Sequence, residues 1–345
     1  MGLSQLAQVA ASLVAPGKGI LAADESTPTI RRRFQAVNAE CTEESRRDYR
    51  EMLFRTPRAE EFISGAILFD ETIRQEGRDG APLVRLLEER GIIPGVKVDK
   101  GAKELAKAAG EVVTEGLDGL RERLSEYREL GARFTKWRAV IRIGDGIPSS
   151  YGIRANAHAL ARFAALSQEE GLAPIVEPEV LMDGDHDIDR CFEASEATLR
   201  ELFYELAGQR VELEGTLLKP SMVISGKDAE ERAGPEEVAR KTLACMKRVT
   251  PAAVAGLVFL SGGQGDQEAT ANLDAINRLV RREGAPWEVS FSFGRGLQSG
   301  PLKAWSGSAE NYEKGQKAFL HRACVTSAAR RGVYTPDLDK APGGV

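Results

Sequence analysis

Cysteine, histidine and long apolar runs are scarce in this chain, and each scarcity removes a class of proteins. The 345 residues hold four cysteines, Cys41, Cys191, Cys245 and Cys324, none in a CxxC spacing. Scattered single thiols do not build a disulfide frame and read as reduced residues, so a cytoplasmic location is expected. The three histidines, His158, His186 and His321, are too dispersed for a zinc triad. No run of about 18 apolar residues occurs. The start has no charged segment followed by an apolar one, and MGLSQL carries Leu where a myristoylation signal needs Ser or Thr. Export, membrane spanning and lipid anchoring are not expected.

Positive charge is short as well. With 47 basic and 52 acidic side chains the net charge is -5, which gives no global attraction for nucleic acid or an anionic membrane surface. Any anion must be captured by a local cluster. Neither GxxxxGK[ST] nor a well-placed GxGxxG occurs, so nucleotide binding has no motif behind it.

What is present is a balance of 42% hydrophobic and 29% charged residues, typical of a globular protein able to fill a large core. Eight short apolar runs recur along the chain, at 19–24, 63–70, 93–99, 133–143, 172–180, 214–223, 255–263 and 289–296. Helical patterns lie between and around them, at 3–14, 42–55, 82–90, 117–130, 153–170, 187–207, 235–248, 266–282 and 309–331. Eight strands alternating with helices and no linker predict a single α/β domain, a (β/α)8 TIM barrel spanning 1–345, rather than a doubly wound sheet. The Pro and Gly content of the last residues predicts a short mobile tail from about 335.

A barrel places its working side chains at the carboxyl ends of its strands. Those ends carry Asp24, Glu25, Ser26 and Thr29; Lys97 and Asp99; Lys136 and Arg138; Glu177 and Glu179; Lys219; Ser261, Gly262 and Gly263; and Ser292, Gly294 and Arg295. Strand alternation sends Lys136 with Arg138, and Glu177 with Glu179, to one face each. Inward charges are tolerable only if they pair, shift their pKa values or await a charged ligand. Structural ion pairs remain an alternative reading.

Lys219, between Leu218 and Pro220, is placed so that desolvation and a neighbouring cation such as Lys136 would free an amine to attack a carbonyl. Taken alone it reads more readily as a snorkelling or glutamate-paired lysine, and the other strand ends tip the balance. The Gly-rich turns SGGQG (261–265) and SFGRG (292–296) suit phosphate, with Arg295 adding a forked donor. A second anion site across the mouth would use Ser26, Thr29, Lys97 and Arg138, although Ser26 and Thr29 read as well as ordinary helix caps. The acidic segment DGDHD (183–187) invites a metal, but its first Asp suits a helix cap and the full calcium-loop pattern is missing. No metal is expected.

Read together, GKGILAADES, KVDKG, the KWR of the fourth run, PIVEPE, DGDHD, EGTLLKP, FLSGGQ and SFGRGLQ resemble the class I fructose-bisphosphate aldolases, in order and spacing, over about residues 12 to 335. The resemblance implies Lys219 as the Schiff-base lysine, Glu177 as main proton shuttle with Glu179 assisting, Lys136 tuning charge near Lys219, and Asp24 orienting the C4 hydroxyl of the substrate. It implies Ser261, Gly262, Ser292, Gly294 and Arg295 for the phosphate of the dihydroxyacetone half, and Ser26, Thr29, Lys97 and Arg138 for the distal phosphate. No cofactor, a phosphorylated sugar as small-molecule partner, a homotetramer and a place in glycolysis and gluconeogenesis also follow from it. Sedoheptulose 1,7-bisphosphate as preferred substrate, or a non-catalytic scaffold on the same barrel, remain alternatives. Thr29 stands where many members have Ser, Phe293 where many have Tyr, and the chain ends in PGGV where animal members carry a terminal Tyr that assists enamine protonation. That leaves the protonation step open.

Overall fold

A computed structural model describes residues 4–340. Eight parallel strands pair in chain order and close on themselves. They are β1 Gly19–Ala23, β2 Ile63–Leu68, β3 Ile93–Lys97, β4 Phe134–Ile141, β5 Ala173–Val180, β6 Leu217–Leu218, β7 Gly256–Phe259 and β8 Glu288–Phe293. Closure is made by Ile20 opposite Ser292 and Leu21 opposite Phe293. Each expected strand is found, and the architecture is the (β/α)8 barrel that the alternation of runs predicts.

The strand period of two divides the core into two shells. Ile20, Ile67, Phe134, Ala173, Ile175, Leu217 and Val258 form an inner cluster joined by Ala10, Leu13 and Val14. The N-terminal helix, Gln5–Leu13, thereby plugs the amino end of the barrel. Gly65 of β2 shows how closely it sits, since a Cβ there would stand 2.5 Å from Leu13. Outward-facing side chains pack on the surrounding helices; Trp137 of β4 stacks on Phe163 of the helix Ser150–Glu169 at 5.7 Å between ring centroids. Apolar side chains stopper one end, so among the described residues solutes meet the barrel at its carboxyl end.

The structure departs from the sequence expectation at several points. β6 is far shorter than 214–223, because Pro220 has no N–H to continue the ladder; Lys219 still donates its own N–H to Val176 O at 2.8 Å. Helices Thr27–Gln35 and Arg295–Trp305 appear where no helical pattern stood out. The first buries only Ile30 and Phe34 beside three consecutive arginines, and the second carries Gly296, Gly300 and Pro301. An antiparallel hairpin, Ala102–Glu104 with Val112–Thr114, interrupts the crossover between β3 and β4. The tail expected to be mobile from about 335 includes a helical turn, Asp337–Lys340, whose Asp339 accepts from Arg322 and from Tyr334 Oη. Here a buried arginine's need for a counter-charge outweighs the local composition. Residues 341–345, the remainder of that expectation, and residue 3 of the expected first helix lie outside the described residues.

Replacing Leu13 by Ala is expected to lower the unfolding free energy by about 3 kcal/mol, read as a shifted midpoint in urea titration.

Candidate active site

Inward alternation carries the apolar shell straight into a charged one. Along β1 the inner face runs Ile20, Ala22, then Asp24; along β4, Phe134, Lys136, Arg138; along β5, Ile175, Glu177, Glu179; and past β6, Leu217, then Lys219. Register aligns these residues in layers, with Lys97 opposite Lys136 and Arg138 opposite Glu177.

At the centre, four charges alternate in sign. Lys136 Nζ lies 2.6 Å from Asp24 Oδ2 and 2.8 Å from Glu177 Oε2, and Lys219 Nζ lies 3.1 Å from Glu177 Oε1. The Lys136–Glu177 contact is close without hydrogen-bond alignment, so Glu177 Oε2 keeps an unused lone pair. Lys219 is 3% exposed, which rules out snorkelling. Two cations and two carboxylates in one buried row leave no net charge, which makes their desolvation bearable.

The pairing decides the protonation states. Burial alone would push the Asp24 carboxyl up, but Lys136, with Lys219 and Lys97 behind it, holds it well below the usual carboxylate range. Glu177 follows the same balance: burial raises it, while Lys136, Lys219 and Arg138 bring it below its ordinary value. Burial would likewise strip Lys136 of its proton, yet Asp24, Glu177 and Asp99 raise its pKa well above that of a free lysine.

A chamber of about 1270 Å³ opens over this row and is lined by the candidate residues read from the strand ends except Gly263, which faces a neighbouring cavity. On one side stand Ser261, Gly262, Ser292, Gly294 and Arg295. Gly262 takes φ +53°, a left-handed turn that favours glycine. The Ser292 hydroxyl is buried with no protein partner, and Arg295 donates to Gly262 O. Burial, with Arg33 nearby, brings the Arg295 guanidinium below its ordinary pKa, a cost that an anion bound beside it would offset.

On the other side, Lys97 Nζ meets Asp99 Oδ1 at 2.6 Å, while Asp99 Oδ2 accepts from the Arg138 backbone N–H at 3.1 Å. The Arg138 guanidinium pairs with Glu179. Ser26 occupies the N-cap position of Thr27–Gln35 but makes no side-chain cap bond; its hydroxyl stands 3.2 Å from that of Thr29.

Asp99, Glu25 and Arg33 also line the chamber. Asp99 and Glu25 were visible at strand ends without a role. Arg33, paired with Glu25, went unseen because its helix did; Pro28 in the first turn and the Ile30–Phe34 spacing were the available signals. In DGDHD the helix cap is Asp187, not the first Asp: its carboxylate accepts from Arg190 N–H at 2.8 Å, while Asp183 pairs with Lys227 at 2.5 Å.

Barrel closure, a plugged amino end, and a buried amine and carboxylates beneath a cation-lined chamber together define an enzyme of the TIM-barrel class. The family model described as fructose-bisphosphate aldolase class-I matches residues 5–343. A relative named probable fructose-bisphosphate aldolase class 1, from Xanthomonas campestris pv. campestris, is 58% identical over 97% of this chain and 99% of its own. Arabidopsis thaliana fructose-bisphosphate aldolase 4, cytosolic, is 51% identical over 97% of this chain and 84% of its own. A solved structure of fructose-bisphosphate aldolase from Plasmodium falciparum, in complex with TRAP and a small molecule inhibitor, superposes with a TM-score of 0.94 at 45% identity, covering 96% of this chain and 95% of that one. The chain belongs to the class I fructose-bisphosphate aldolase family.

Because Asp24 and Glu177 have depressed pKa values when folded, their contribution to stability is full above the unfolded value of about 4 and is lost as pH falls towards the folded ones. Lys136→Met leaves both carboxylates without their shared cation. It is expected to cost about 3–5 kcal/mol at neutral pH and to move the acid-unfolding transition, followed by circular dichroism, to higher pH.

Proposed function

We propose that this enzyme cleaves fructose 1,6-bisphosphate reversibly to dihydroxyacetone phosphate and glyceraldehyde 3-phosphate through a Schiff base on Lys219. The observation that carries the reading is the buried row Asp24–Lys136–Glu177–Lys219 beneath a chamber with cations on both sides. A bisphosphate needs an anion site at each end and reactive groups between them.

The Lys219 ammonium passes a proton to Glu177 beside it, the free amine adds to the C2 carbonyl of the open-chain ketose, and Glu177 returns the proton to the hydroxyl that leaves as water, giving an iminium that draws electrons from the C3–C4 bond. Glu177, its carboxylate between Lys219 and Lys136, takes the C4 hydroxyl proton. The C3–C4 bond then breaks, the aldehyde half departs, and its electron pair forms an enamine on Lys219. Protonation of the enamine at C3 and hydrolysis of the iminium release the ketone half and the amine.

Lys136 stays cationic throughout and stabilises the carboxylates facing the reaction. Asp24 orients the C4 hydroxyl, and Glu179 assists Glu177 while steering Arg138. Ser261, Gly262, Ser292, Gly294 and Arg295 take the phosphate of the dihydroxyacetone half; the unpartnered Ser292 hydroxyl supports this. Ser26, Thr29, Lys97 and Arg138 take the distal phosphate. The reaction belongs to glycolysis and gluconeogenesis. A cytoplasmic location is supported by the cytosolic relative's name and by the lack, among the described residues, of a helix long and apolar enough to cross a membrane. A homotetramer rests on the family resemblance alone.

Borohydride added with dihydroxyacetone phosphate should attach the reduced ligand to Lys219, seen by peptide mass; a fully active sample left unmodified there sinks the mechanism. Arg138→Ala is expected to raise KM for fructose 1,6-bisphosphate about tenfold or more, while a ketose 1-phosphate, which lacks the distal phosphate, is affected far less. Steady-state comparison of fructose and sedoheptulose bisphosphates sets the substrate preference.

A further inference from the structure

The two turns assigned to the ketose phosphate come from separate strands, β7 and β8, and their spacing must be held by something outside the chamber. One side chain touches the segments that follow both. Arg322, on the helix Tyr312–Arg330, is 7% exposed and spends its guanidinium on four partners. Its Nε donates to Gly296 O at 3.3 Å, in the first turn of the helix that follows the β8 turn. Its Nη2 donates to Asp266 O at 3.3 Å and to Thr270 Oγ1 at 2.8 Å, both in the opening of the helix that follows the β7 turn. Its Nη1 pairs with Asp339, which also accepts from Tyr334 Oη at 2.5 Å.

We infer that Arg322 is a positioning residue that brackets the two Gly-rich turns at the separation a phosphate requires, with Asp339 of the C-terminal turn as its counter-charge. A planar fork with donors fixed in direction can hold two backbone segments in one geometry; an ammonium cannot. Gly296 follows Arg295 directly, and Asp266 follows the SGGQG turn directly, so a displacement of either carbonyl is passed to the phosphate donors within a residue or a few. The bracket also places the C-terminal turn in the same network as the phosphate donors, although Asp337–Lys340 does not itself line the chamber. The inference rests on the reading that these turns hold the phosphate of the dihydroxyacetone half.

The test is steady-state kinetics of the full chain with fructose 1,6-bisphosphate, with inorganic phosphate as competitive inhibitor. Arg322→Lys keeps the charge opposite Asp339 and loses the fork. It is expected to raise KM and the phosphate Ki about tenfold, as a displacement of donors by a fraction of an ångström would, with kcat nearly unchanged. If both constants stay at wild-type values while thermal stability falls, Arg322 is only a structural residue and the inference is overturned. Arg295→Ala serves as control: an unchanged phosphate Ki there overturns the reading of the turns themselves, whereas a raised Ki there beside an unaffected Arg322→Lys overturns only the bracket. Should Arg322→Lys not fold, Asp339→Asn decides. A phosphate Ki raised about threefold supports the bracket, and an unchanged one overturns it.

Discussion

The ammonium of Lys136, held between Asp24 and Glu177 inside the barrel, is the contact around which the site is organised. Removing any one of the three would leave an uncompensated charge in a largely buried position, and such charges are among the costliest faults a core can carry. Glu177 is thereby kept ionised and turned toward Lys219, and Asp24 is fixed over the opposite side of the chamber. The arrangement that makes the charges bearable also supplies a base beside an amine. Stability and reactivity draw on the same row.

The barrel makes room for that row by separating polarity along its axis. At the amino end, Leu13 and Val14 join Ile20, Phe134 and Leu217 in a dry stopper; one or two inward positions further along the same strands the inner face turns to Asp24, Lys136 and Lys219. The stopper confines solutes to one opening and lowers the local dielectric, which strengthens every pairing above it. Outward residues such as Trp137 meanwhile anchor the strands to helices, so the inner face is free to carry charge.

Around the row lie groups that act at one remove. Asp99 ties Lys97 to the backbone of Arg138, Glu25 pairs with Arg33 at the chamber wall, and Arg322 reaches the segments behind both Gly-rich turns. These supports come from distant parts of the chain. Arg322 has no local signature, because an arginine in the helix Tyr312–Arg330 looks like any surface residue until the fold buries it.

Most of the barrel was legible because strand and helix patterns differ in period, and eight apolar runs with helical intervals admit few architectures. The residues gathered at the chamber were legible for a related reason: charge at the end of an apolar strand is costly, so Lys136, Glu177 and Lys219 stood out from their neighbours. Helices Thr27–Gln35 and Arg295–Trp305 were not, since Gly, Pro and a run of arginines hide their periodicity. By itself, the sequence determined the number and order of the strands and the identity of the charges they carry. Only the tertiary structure decided which charges meet, that Lys219 shares Glu177 with Lys136, and that Asp339 docks on Arg322. Pairing depends on distances between strands and helices far apart in the chain, and those distances exist only once the barrel has closed.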